Sequence, residues 1–139
     1  MLPTTDRKRL ILKKFGNSEG VFTKIITDDN RNEYEDLFQN LDEDEIPLIV
    51  CRFNHLHWTL LTKTRVLTKN EEGLNIIPTV EINYVNIDIP NEWANGAKTL
   101  AHFTKIILKD INNKIYVLTL EKGVPLGGFL NALNFIAGQ

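Results

Sequence analysis

A single cysteine, Cys51, stands among 139 residues, so no disulfide can form within the chain. That favours a reducing compartment. Membrane-length apolar runs are absent: a spanning helix needs about 20 apolar residues. The apolar stretch behind the basic residues Arg7, Lys8 and Arg9 is only Leu10-Ile11-Leu12, too short also for a secretory signal. A cytoplasmic location without a membrane partner is the expectation. Histidine is scarce, at three residues. Gly123-x-x-x-Gly127-Gly128 lacks the Lys-Ser/Thr ending of a phosphate loop.

The chain is long enough for one domain, and a chain near 150 residues buries about two-thirds of the surface it exposes unfolded. With 42% hydrophobic residues it can build a core without disulfides or metals. Net charge is −2, but the charge is unevenly placed. Residues 1–26 carry six bases against two acids, residues 27–45 one base against nine acids, and residues 46–139 nine bases against seven acids. The first block reads as a basic N-terminal extension, and residues 27–139 as a single domain.

Periodicity sets the element order. Residues 5–15 read as a short helix with Thr5 or Asp6 as cap, ended by Gly16. Residues 21–26 read as a short strand. Asn30 and Glu33 have capping-box spacing, and Tyr34, Leu37, Phe38 and Leu41 follow on one helical face. From Ile46 the period becomes that of strands. Residues 46–53 form one, with Pro47 at its start, and residues 58–68 a second. Trp58 is expected to be buried, and Trp93, in the loop of residues 90–96, to be exposed. After the turn at residues 69–73, apolar positions fall at even numbers (Leu74, Ile76, Val80, Ile82, Tyr84) and then at odd ones (Val85, Ile87, Ile89). That phase change requires a bulge or a break. Residues 99–109 and 114–121 form a hairpin about residues 110–113. Pro125 opens a last helix, in which Leu126, Phe129, Leu130, Leu133, Ile136 and Ala137 share one stripe. The fold class is thus α+β: a curved antiparallel sheet or partly open barrel of five to seven strands, with an N-terminal helix and a closing C-terminal amphipathic helix.

Particular residues carry a resemblance. The run Trp58-Thr59-Leu60-Leu61-Thr62-Lys63-Thr64-Arg65-Val66 is similar to the second strand of bacterial pleckstrin-homology-like (PH-like) domains. Residues 77–82, opening on Ile77-Pro78, look like their bend before the third strand, and Phe129-Leu130-Asn131-Ala132-Leu133 like their closing helix. The resemblance covers residues 27–139. It implies a bent sheet whose open corner is plugged by the last helix. Some eukaryotic relatives bind inositol lipids through a basic first hairpin; here residues 52–58 hold a single Arg, which speaks against that route.

Candidate chemistry is thin. His55-Leu56-His57 puts two imidazoles on one strand face, but a metal needs a third ligand such as His102 or an acid. Cys51 could pair with His55, His57 or His102 in a hydrolase, yet no neighbour orients or activates the thiol. No catalytic residue, cofactor or metal is assigned. Residues 7–14 are basic without interleaved aromatics for base stacking, so no nucleic acid is expected.

The acidic block remains. Asp28, Asp29, Glu33, Asp36, Asp42, Glu43, Asp44 and Glu45 are the candidate partner-binding residues. Part of this acid suits a solvated helix N-terminus, and the rest offers a surface to a basic protein. The expected function is a non-catalytic protein-binding module. One alternative is an immunity-type protein that neutralises a basic toxin, such as a nuclease, through this surface. A second is a small His- or Cys-dependent hydrolase.

Overall fold

The structure, a computed structural model, describes residues 4–87, Ala94, Gly96 and residues 102–138, with side chains of the first helix from Arg7 onward. Trp93 and most of the loop of residues 90–96 lie outside the described residues, as do Ile89, Thr99 and Leu100.

Helix α1 (Thr4–Phe15) turns its apolar positions inward, with Ile11 and Phe15 fully buried. Gly16 ends it with φ of 67°, a left-handed conformation that suits glycine, and its N–H bonds the Leu12 carbonyl. Strand β1 (Thr23–Ile25) pairs antiparallel with β2 (Pro47–Arg52). β3 (Trp58–Thr62), β4 (Arg65–Asn70) and β5 (Gly73–Pro78) follow as a meander, so the first sheet has the order β1-β2-β3-β4-β5. A second antiparallel sheet contains β6 (Ile82–Ile87), β7 (Lys105–Asp110) and β8 (Ile115–Thr119) in that order. The last helix, α3 (Val124–Ala137), packs on α1 and β6.

The α+β class holds, but the sheet is divided: eight described strands form two sheets that share no ladder, so no closed barrel exists among the described residues. Residues 58–68, read as one strand, are two. The turn at Lys63-Thr64 lacks Gly, Asn and Pro, and a threonine builds it instead. Thr62 Oγ1 accepts the N–H of Thr64 and of Arg65 at 3.2 and 3.0 Å. Residues 74–87 break into β5 and β6 across a 3-10 turn at Thr79–Glu81. The even-numbered phase fails there. Leu74, Ile76, Val80 and Tyr84 are exposed, whereas Ile77, Ile82 and Val85 are buried. A register shift between Ile82 and Tyr84 reverses the alternation.

One core lies between the sheets and the two long helices. Ile49, Cys51, Leu61 and Val66 meet it from the first sheet, and Ile106, Leu108 and Leu118 from the second. Leu126, Phe129, Leu133 and Ile136 of α3 fill it as the stripe predicts; Leu130 and Ala137 are half-buried against it. Phe15 meets Phe129 edge to face, ring centres 5.9 Å apart. Gly128 permits the close approach of this region. A Cβ there would stand 2.3 Å from Ser18 Cβ and 2.9 Å from Phe15 Cδ1. The basic segment is therefore built into the main core through Ile11 and Phe15, and Arg7 Nη2 donates to Thr79 Oγ1 at 3.0 Å.

A second, smaller core covers the opposite face of the first sheet. Val50, Trp58, Leu60 and Leu67 meet Leu37 there, with Tyr34, Phe38 and Leu41 packed on them. Trp58 is 4% exposed, as expected. The covering segment is shorter than its periodicity suggests. It is a 3-10 turn, Arg31–Tyr34, followed by the one-turn helix α2 (Glu35–Phe38). The capping box does not form. Asn30 Oδ1 instead accepts the Thr27 N–H, and its amide donates to the Ile25 carbonyl, so the side chain closes the preceding turn.

Candidate functional site

The acidic segment lies over the first sheet because its apolar side chains face inward. Tyr34, Leu37, Phe38 and Leu41 point to the small core, which sends the carboxylates between them outward. Asp28, Asp29, Glu33, Glu35, Asp42, Glu43 and Asp44 are exposed, and none forms an ion pair among the described residues.

Two members of the block have internal partners. Asp36 forms a two-point pair with Arg52, at 3.0 Å from Nη1 to Oδ1 and 2.9 Å from Nη2 to Oδ2. Arg52 also donates to the Glu33 carbonyl, which ties the segment to β2. Glu45 is more deeply placed, its side chain only 2% exposed. Arg65 Nε donates to Glu45 Oε2 at 2.9 Å, Arg65 Nη2 bonds Oε1, and the Thr62 hydroxyl donates to Oε2 at 2.7 Å. Burial pushes the Glu45 carboxyl up. Hydrogen bonds from Arg65, Thr62 and the Asp42 N–H, together with the Arg65 charge, outweigh it and bring the carboxyl down to about 2. Glu45 thus braces the β3–β4 turn. The sequence offered no signal for either pairing, since Arg52 and Arg65 lie far along the chain from their acids.

The other candidates are dispersed. Cys51 is fully buried; burial pushes its thiol up, away from the thiolate a nucleophile needs. His55 and His57 lie in the bend between β2 and β3, not on a strand face. His55 Nδ1 sits 2.9 Å from Arg52 Nη2, while His57 Nδ1 sits 3.1 Å from Asn54 Oδ1 and its Nε2 3.8 Å from Glu71. Among the described residues no three His, Cys, Asp or Glu side chains form a group that could hold a metal. No described helix is long and apolar enough to cross a membrane.

A second surface had no signal in the order of residues. Near the start of β1 a groove of about 550 Å³ is lined by Phe22, Phe53, His57, Thr104, Leu120 and Lys122, among others. The Phe22 and Phe53 rings stand 5.1 Å apart, centre to centre. Glu121 lies at its wall but is fully engaged: it accepts the N–H groups of Val21 and Phe22, each at 2.9 Å, and the Thr23 hydroxyl at 2.8 Å. Burial raises its carboxyl, but these bonds outweigh it and hold it below the ordinary carboxylate range.

No protein-family model, curated protein or solved structure matches this chain.

Proposed function

We propose that the chain is a non-catalytic protein-binding module of PH-like fold that docks a basic protein partner through its acidic segment. One observation carries the reading. Seven exposed carboxylates, at Asp28, Asp29, Glu33, Glu35, Asp42, Glu43 and Asp44, lie on a segment held to the sheet by its apolar side chains and by Asp36 and Glu45, not by these seven. Charge that the fold does not use stays available to steer association. The PH-like part draws support from the element order, antiparallel meanders followed by a helix packed beside them. The enclosed Cys51 and the engaged His55 and His57 lend nothing to a hydrolase. A basic toxin is a narrower form of the same partner, and the chain would then act as its immunity protein.

The test begins with capture of the partner from the native host. Association is then measured for Asp42→Lys, Glu43→Lys and Asp44→Lys combined, at two salt concentrations. The expected result is association slowed at least about tenfold, a smaller salt dependence than wild type, and an unchanged melting temperature. Unchanged association rates in a folded variant would remove the acidic segment from the interface.

A further inference from the structure

The outer face of the three-stranded sheet forms one continuous surface. Strand register sets Tyr84 beside Lys109 and Ile115, Asn86 beside Ile107 and Val117, and Lys105 beside Thr119. These side chains alternate along β7 and β8 with Ile106, Leu108 and Leu118, which fill the core. Ile115 is 57% exposed, Val117 45% and Tyr84 42%. At Thr119 the face runs into the Phe22–Phe53 groove, because Thr119 and Thr104 also line that groove. An apolar strip with a concave end results.

Its charge is of one sign. Lys105 and Lys109 stand on the face and Lys122 at the groove, and none is ion-paired among the described residues. Lys109 lies over the Tyr84 ring at 5.1 Å, a contact that holds the ammonium group without neutralising it. Two nearby acids are occupied, and a third, Glu71, is exposed beside His57 at the groove. Glu121 is engaged as described, and Asp110 accepts the N–H groups of Asn112 and Lys114 and the Tyr116 hydroxyl.

The geometry points to a second docking surface, for an acidic segment of a protein partner that crosses the outer face of β6, β7 and β8 and seats one apolar side chain in the groove, against the Phe22–Phe53 pair. The segment lies over the face and does not extend the sheet. At Val117 and Thr119 the edge of β8 faces Trp58, Thr68, Lys69 and Asn70 across a narrow cleft of about 20 Å³, which crowds that end of the edge against an added strand. An anionic membrane fits less well. Interfacial binders insert Trp, Phe or Leu from a convex amphipathic helix, whereas here the exposed aliphatics are short and branched and the phenyl pair lines a hollow. A two-fold pairing with a second copy would set Lys105 and Lys109 against their own kind. This surface is separate from the acidic segment, and the triple lysine variant above leaves it intact.

A random peptide library displayed on phage tests the proposal, with the full chain as bait. Enriched peptides are expected to be net acidic with one aromatic or leucine residue. Their affinity should fall about tenfold or more in Lys105→Glu, Lys109→Glu and Lys122→Glu combined. Thr119→Arg, at an exposed position on the groove rim, should abolish the anchor preference while melting like wild type. The proposal is overturned if nothing is enriched, if the peptides are not acidic, or if they bind the charge-reversed chain equally. Sedimentation with phosphatidylserine vesicles in place of peptide binding, or self-association lost on charge reversal, would overturn it in favour of a membrane or a second copy.

Discussion

The two sheets treat their outer faces in opposite ways. The five-stranded sheet covers its outer side with the acidic segment, so Val50, Trp58, Leu60 and Leu67 are as dry as the main core. The three-stranded sheet leaves Tyr84, Ile115 and Val117 to water. Antiparallel sheets commonly bury one face and solvate the other with polar residues. The first departs from that habit by recruiting its own cover. The second departs by keeping apolar side chains on the solvated side. The lesson is that a face completed by its own chain stabilises the fold, while an incomplete face is a resource for binding.

Mutations can break or sharpen this contrast. Phe129→Ala empties the core that both sheets share. It should lower stability by about 3–5 kcal/mol in denaturant unfolding. Leu37→Ala probes the cover alone and should lower it by about 2–3 kcal/mol, the low end of such changes because a one-turn helix can settle inward. If Leu37→Ala melts like wild type, the cover is not part of the folded core.

Glu45 gives a pH-dependent version of the same test. Its carboxyl sits at about 2 in the folded chain, from an ordinary 4.5. A depressed carboxyl stabilises the fold fully above the unfolded value. That contribution is lost as pH falls from about 4.5 toward 2, and amounts to roughly 2–3 kcal/mol. Glu45→Gln should therefore be less stable than wild type at neutral pH, and the two should converge in acid. Equal acid limbs in urea unfolding would mean that the Arg65 pair adds nothing. The smallest effect belongs to the open face, where Val117→Thr should change stability by no more than about 0.5 kcal/mol. A larger loss would show that this face is already covered.

Much of the fold was legible where local signals agree with packing. The last helix carries an apolar stripe between Pro125 and Gly138, and β7 and β8 flank a polar turn in which Asn113 takes φ of 64°. The split of residues 58–68 was illegible because its turn is fixed by Thr62 with support from Glu45, seventeen positions away. The short α2 was over-read because the spacing of Tyr34, Leu37, Phe38 and Leu41 reports a shared face, which a 3-10 turn and one helical turn supply as well. For the candidate site, the block of acid was plain, but the internal bonds of Asp36 and Glu45 depend on arginines brought in by the sheet. The open face was hidden because Ile115 and Val117 read like their buried neighbours Leu118 and Leu120.

The packing of α1 on α3 has a kinetic consequence. Each meander joins strands that are neighbours in sequence, and such contacts form with little loop-closure entropy. Residues 4–15 meet residues 124–137 only after everything between has been made. During synthesis, Ile11 and Phe15 emerge before all the strands and wait for Phe129. For that interval α1 carries a sticky face with no seat, and the lysines and arginines on its other side are most of the charge beside it.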